Sequence, residues 1–367
     1  MIFAELVGQK ELATKLRKGA TSGRIPHAQL FLGAEGSGNL ALTFAYAQYV
    51  MCTNRSEADS CGVCASCRKV SSLTHPDLHF SFPYPANKGD FATELYPEFR
   101  KAFIENPYLN YEMWMENLDA TGKQGNIPVK ECHAILKNLS LKPFESEYKV
   151  LIMWLPEYLG NAGNVLLKSL EEPSQKTLFL LVGENTEKII TTILSRVQLI
   201  RVPPILNEDL ADKLVESYNM PKEDALRLAV MSTGNLVKAI ELAANAENHY
   251  LEPLRAWLGF CYQKQLPKAF DWADNYSAGG REQLKGFFLY SLEIIRAVLV
   301  YPVIGSNNGL NASETEFVAK FSSIINNNAK AELMYKWMND AAYEVERNGS
   351  AKLIFADLSF KVARLLK

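Results

Sequence analysis

Basic residues are not in excess in this chain. Its 367 residues include 39 Lys and Arg against 41 Asp and Glu, a formal net charge of −2. A free-standing nucleic-acid binder carries a basic excess, so any contact with DNA is local or shared with partners. The first residues, MIFAELVGQKELATKLRKGA, hold no apolar core of signal-peptide length. No stretch approaches the roughly 18 apolar residues expected of a membrane span. These absences give a cytoplasmic reading with no membrane partner. In that compartment the six cysteines are metal ligands or core residues rather than disulfides. The five histidines offer no metal or catalytic constellation, and His27 and His75 are read as packing residues. Repeats at a fixed period and low-complexity tracts are also missing.

What is present suits a folded protein of two or three domains. The chain is 48% apolar and 22% charged. Residues 5–20 read as an amphipathic helix. A short apolar run at 28–32 reads as a buried strand, and further apolar runs at 78–82, 150–155, 177–183 and 198–202 read as strands. Helical patterns lie between them at 39–51, 128–139 and 161–172, which argues for a parallel sheet covered on both faces. Strand signals stop near residue 206. Helices are predicted at 207–217, 222–231 and 235–247, with Gly234 at a boundary, and long helical patterns run from 249 to the end. Residues 85–126 mix aromatics, charges and turn residues. They read as an insertion with one or two helices that makes a surface excursion.

Two motifs carry chemistry. In GAEGSGNLALTF (33–44), Gly33 and Gly38 occupy the glycine positions of the phosphate-loop pattern G-x-x-x-x-G-K-[ST], with Gly36 between them. A strand precedes the loop and a helix follows, as that pattern requires. The lysine and hydroxyl positions hold Asn39 and Leu40 instead. The strand at 150–153 continues into Trp154, Leu155 and Pro156 where two acids would complete a metal site, and Glu157 comes too late. Each lost charged hydrogen bond is worth roughly 1.5–3 kcal/mol, so hydrolysis is not expected. Backbone N–H groups could still hold a phosphate weakly.

The second motif is Cys52, Cys61, Cys64 and Cys67 in C-x8-C-x2-C-x2-C. Four thiolates can close a tetrahedral shell around Zn2+, and such a closed shell has a structural role. Unrelated free cysteines, a redox pair and iron–sulfur ligation remain alternatives. Cys132 and Cys261 stand alone and read as core residues.

FAELVGQKEL (3–12), GRIPHAQLFLGAEGSG (23–38), the cysteine cluster, HPDLHF (75–80), LSLKPFESEYKVLIM (139–153), NVLLKSLEEPSQKTLFLLVGEN (164–185) and ILSRVQ (193–198) together carry a resemblance. The chain resembles the delta-prime subunits of the bacterial DNA polymerase III clamp loader, which are AAA+ proteins. The resemblance implies an α/β AAA+ core of P-loop NTPase type at 1–205, containing the cysteine module (52–67) and the insertion (85–126). A small helical lid at 206–248 and an all-α collar at 249–367 follow. It implies that Ser195-Arg196-Val197 stands for the family's Ser-Arg-Cys motif, with Arg196 acting as an arginine finger in a neighbouring subunit's ATP site. Lys238 falls at the second sensor and Asn185 near the first. The implied function is that of a non-hydrolysing subunit of the polymerase III holoenzyme in DNA replication. Its partners would be the gamma/tau ATPase subunits and the delta subunit, and through the complex the sliding clamp and primed DNA. Structural Zn2+ is the implied cofactor, and ATP or ADP binding by this chain is doubtful. Trp154, Leu155 and the segment 85–126 depart from the family. An autonomous AAA+ ATPase of repair or recombination is the alternative, and it needs a lysine at position 39. A zinc-dependent DNA-binding module is a third reading, and it needs a basic surface around Arg55, Arg68 and Lys69.

Overall fold

The computed structural model describes residues 1–244, 250–305, 310–325, 327–347 and 349–366. They form two compact units, Met1–Asp209 with Gly234–Val237, and Leu210–Thr233 with Lys238–Lys367.

In the N-terminal unit five strands, β1 (Ala28–Leu32), β2 (Leu78–Ser81), β3 (Lys149–Trp154), β4 (Thr177–Gly183) and β5 (Gln198–Arg201), form one sheet. The order is β2-β3-β4-β1-β5 and every pairing is parallel. Leu30 of β1 is level with Leu181 of β4 on one side and Leu199 of β5 on the other. The helices of this unit are α1 (Lys10–Thr21), α2 (Asn39–Met51), α3 (Ala65–Ser71), α4 (Tyr96–Glu105), α5 (Tyr111–Asn117), α6 (Val129–Ser140), α7 (Leu167–Glu171) and α8 (Thr191–Leu194). α1 starts at Lys10, not at residue 5. Gly8 and Gln9 have φ of +70° and +58°, a left-handed conformation that a right-handed helix cannot contain. The helical pattern at 161–172 resolves into a 3-10 stretch, Gly160–Leu166, followed by the short α7.

Side chains alternate across a strand, and here the alternation feeds two cores. Val150, Ile152 and Trp154 join Phe31, Leu178, Leu180 and Val182 in one. Leu151 and Met153 join Leu30, Phe179 and Leu181 in the other, under α6 to α8. The first core also contains α2, which is buried on all sides.

The segment 85–126 is not a surface excursion. Its root is closed by an antiparallel bridge, in which the Tyr84 amide donates to the Asn126 carbonyl at 3.1 Å and the Asn126 amide returns the bond at 3.0 Å. Phe99 and Phe103 of α4 and Trp114 of α5 are buried in the first core. Phe103 stacks on Phe44 of α2 at 3.9 Å between centroids, and Phe99 stacks on Phe82 at 4.3 Å. Phe99 also reaches Trp154 at 6.1 Å. The helices expected in this segment are present, and their apolar faces complete the sheet's cover.

The second unit is helical among the described residues. It is built from α9 (Asn207–Tyr218), α10 (Lys222–Ser232), α11 (Leu236–Ala244), α12 (Leu251–Tyr262), α13 (Leu266–Ser277), α14 (Arg281–Ile304), α15 (Ala312–Ile325), α16 (Asn328–Glu346) and α17 (Ala351–Leu365), the first residues of α9 and α11 belonging to the N-terminal unit. The helix expected at 235–247 is seen from Leu236 to Ala244, and 245–247 lie outside the described residues, as does the expected domain boundary at 248–249. Gly234, at φ +84°, separates α10 from α11. One stretch, Gln283–Val303 of α14, is long and apolar enough by composition to cross a membrane, contrary to the expectation that none approaches it. That window is 61% buried within the protein. Phe287 and Phe288 of α14 pack against Phe355 of α17, and the Trp257 indole donates to Ser359 Oγ at 2.9 Å.

Candidate functional site

The glycine loop runs from the end of β1 to the start of α2. Gly36 and Gly38 have φ of +70° and +81°, which favours glycine at both places. At the lysine position, the Asn39 amide turns inward and donates to the Gly33 and Gly183 carbonyls, both at 3.1 Å. Its Oδ1 accepts the Leu40 N–H at 2.9 Å, taking a donor from the start of α2. At the hydroxyl position, Leu40 is 2% exposed and belongs to the apolar core. Trp154 and Leu155, at the strand end where acids would stand, belong to the same core.

Four further residues close around the loop. The Tyr108 ring lies where a Cβ on Gly38 would stand, 2.8 Å from that position, and its hydroxyl accepts the Val7 N–H at 2.8 Å. Burial pushes the Tyr108 phenol up to about 12. The Asn110 amide donates to Glu35 Oε1 at 2.9 Å, and its Oδ1 caps α5 through the Met113 N–H. Asn235 lies against Gly36, where a Cβ would fall 1.9 Å from its Oδ1, and the Leu236 N–H donates to the Gly36 carbonyl at 3.0 Å. Gln9 bridges the Ser37 and Pro203 carbonyls at 3.0 and 2.6 Å. No motif announces any of the four. They lie far from the loop in the chain, and Trp154 was the one available signal, since a tryptophan ending a buried strand needs apolar partners.

Charges of both signs stand near the loop, with Lys10, Lys15 and Arg201 lining the cavity beside Gly33 and Ala34 together with Glu184 and Asp209. Glu157 Oε1 accepts the Glu184 and Asn185 N–H groups at 2.6 and 2.8 Å, so this residue is built into the site. Burial first, then the Glu35 and Glu157 carboxylates, push the Glu184 carboxyl up to about 7. Asn185 Oδ1 caps the 3-10 turn Thr186–Lys188 through the Glu187 N–H at 2.8 Å. Lys238, in the helical unit, pairs with Glu293. His27 bonds the Leu170 carbonyl at 2.8 Å and His75 Nδ1 accepts the Asp77 N–H at 3.1 Å, as packing residues do.

Ser195 and Arg196 follow α8, next to β5, which is an edge strand with Gln198, Leu199 and Arg201 exposed. Arg196 Nε donates to Glu171 Oε1 at 2.7 Å, and its Nη2 bonds the same oxygen. Nη1 donates to the Thr192 carbonyl at 2.8 Å and to Ser195 Oγ at 3.1 Å.

The four clustered cysteines converge. Their sulfurs all lie within 4.8 Å of one another, with Cys52–Cys61 and Cys61–Cys67 separations of 3.6 and 3.9 Å. A tetrahedron with Zn–S bonds of about 2.3 Å has edges of about 3.8 Å, so the donor set fits a four-thiolate ion. Backbone N–H groups of Cys61, Cys64 and Cys67 donate to the sulfurs of Cys52, Cys61 and Cys64 at 3.3 Å, a pattern that stabilises thiolates. All six cysteines are free, and Cys132 and Cys261 are buried. The module is stitched to its surroundings by Asp59, whose carboxylate accepts the Phe3 and Ala4 N–H groups at 3.2 and 2.9 Å. Two of the three basic residues near it are engaged within the chain. Arg55 donates to the Val50 carbonyl at 2.9 Å, and Lys69 pairs with Glu145.

A five-stranded parallel sheet in this order, with strand, glycine loop and helix in succession and a helical C-terminal region, defines an α/β protein of AAA+ type. The family model described as "DNA polymerase III, delta subunit" matches residues 8–206, and the chain belongs to that family. Among curated proteins it is 28% identical to DNA polymerase III subunit delta′ of Bacillus subtilis over 225 residues, covering 61% of this chain and 56% of that one. It is 26% identical to subunit tau/gamma of Haemophilus influenzae, covering 66% of this chain and 30% of that one. It is 28% identical to subunit tau of Escherichia coli, covering 66% and 33%. The chain therefore matches about half or less of the length of these relatives. A solved DNA polymerase III gamma subunit-related protein from Thermotoga maritima aligns over 97% of this chain and 99% of its own, with a TM-score of 0.40 and 13% identity.

Proposed function

We propose that this chain is a subunit of the DNA polymerase III clamp loader that takes a place among ATPase subunits without hydrolysing ATP itself. Its partners are the gamma/tau and delta subunits, and through them the sliding clamp and primed DNA. Residues 1–205 serve as the AAA+ core, 206–248 as the lid and 249–367 as the collar that joins the ring. Family membership supports the class. The observation that carries the finer reading is a contrast within one unit. The glycine loop is packed by its own chain through Asn39, Tyr108, Asn110 and Asn235 and keeps only Gly33 and Ala34 on a cavity, while Arg196 stands near the open edge of the sheet. A forked, permanently charged guanidinium at an edge is suited to phosphate oxygens of a neighbour. Zn2+ held by Cys52, Cys61, Cys64 and Cys67 supplies a fixed crosslink and takes no part in chemistry.

Reconstitution with the ATPase and delta subunits tests this reading. Arg196→Ala leaves the complex assembled and lowers its DNA-stimulated ATPase by the share of the one site Arg196 serves. Unchanged ATPase and clamp loading would remove the finger. A second expectation concerns the loop. Asn39→Lys with Leu40→Thr does not create nucleotide binding in the purified chain, because Tyr108, Asn235 and the carboxylates of Glu35 and Glu184 still surround the loop. Saturable binding of a fluorescent ADP analogue by that double variant would show that the two side chains alone were missing.

A further inference from the structure

We infer that Glu171 is a latch that holds Arg196 in a parked position and yields it to the neighbour's ATP. This rests on the reading of Arg196 as a finger in trans and adds the control of that finger. A guanidinium has five N–H donors. Here Nε and Nη2 are both taken by one Glu171 carboxylate oxygen, and the two N–H groups of Nη1 by the Thr192 carbonyl and Ser195 Oγ. Four of five donors are therefore spent within the chain. Two parallel N–H groups are needed to fork a phosphate, so the finger must leave Glu171 before it can engage. The elements are suited to this exchange. Glu171 ends α7 and Arg196 follows α8, so the two come from separate short helices. The side chains are 49% and 30% exposed, so water weakens the pair. A triphosphate presents more negative charge than one carboxylate and out-competes it, whereas an empty neighbouring site does not. Ser195 acquires a role in the same geometry, as the hydroxyl that receives Nη1 in the parked state.

Glu171 is thus a positioning residue, and its effect is on occupancy of the engaged state, a population shift rather than a new contact. In the reconstituted complex, Glu171→Gln lowers the KM for ATP by roughly two- to fivefold, the range an exposed ion pair supports. The gain is read in KM rather than kcat. It disappears when Glu171→Gln is combined with Arg196→Ala, and Glu171→Asp, which keeps the charge, returns KM toward the starting value. An unchanged or raised KM in Glu171→Gln, or a gain that persists without Arg196, overturns the latch while leaving the finger in place. A complex whose ATPase ignores Arg196→Ala removes the finger itself, and the latch with it.

Discussion

Trp114→Ala lowers the stability of the N-terminal unit by about 3–5 kcal/mol, the cost of deleting a fully enclosed large aromatic. Trp114 is 0% exposed. Its ring meets Phe82 and Phe99 edge-on, at 4.9 and 5.5 Å between centroids, and its indole N–H donates to the Pro83 carbonyl at 2.8 Å. Removing it opens a cavity beneath α4 and α5 and strands a buried carbonyl. The measurement is the urea midpoint of the full chain. Had 85–126 been a surface excursion, the same substitution would fall within about 0.5 kcal/mol of zero. Trp114→Phe keeps a ring in most of the space and loses the hydrogen bond with a smaller cavity, so its cost is lower, at about 1–3 kcal/mol.

Cys67→Ser abolishes metal binding and loosens the N-terminal segment. Cys67 is fully buried, and a hydroxyl is a poor substitute for a thiolate in a four-sulfur shell. Metal affinity in such modules is folding free energy, on the order of 10 kcal/mol in isolated zinc-finger peptides. Here the loss is transmitted through Asp59, which needs the ordered 52–67 loop to hold the Phe3 and Ala4 N–H groups. Elemental analysis of the wild-type chain under reducing conditions gives one zinc per chain, and the variant gives none. Hydrogen exchange at residues 3–4 and 60–67 accelerates in the variant. A wild-type chain without stoichiometric zinc, or a variant with unchanged exchange, would rule out the structural metal.

The strands and α2 were legible because short β-rich runs between turn residues have few other readings. β1, β4 and α2 begin and end where the pattern places them. The entry to α1 was less legible, because nothing local announces that Gln9 adopts a left-handed backbone to bridge Ser37 and Pro203. The burial of the segment 85–126 is hidden in the sequence for a related reason. Pro97, Pro107, Gly122 and Gly125 break its pattern, and the partners of its rings lie in α2, in β2 and just past it, and at the end of β3. At the site, the glycines, Asn39, Leu40, the four cysteines and Arg196 could all be found by motif. The contacts of Tyr108, Asn110, Asn235 and Gln9 could not, since each joins distant segments.

The packing of Trp154 limits what the end of β3 can hold. Trp154 and Leu155 are enclosed with Phe82, Phe99 and Trp114. Placing an aspartate or glutamate at either position would bury a carboxylate among rings, at a cost of several kcal/mol, before any catalytic benefit could arise. Making room would first require dismantling α4 and α5, which themselves hold Tyr108 and Asn110 on the loop. The hydrophobic core itself therefore opposes a metal-binding carboxylate at this strand end.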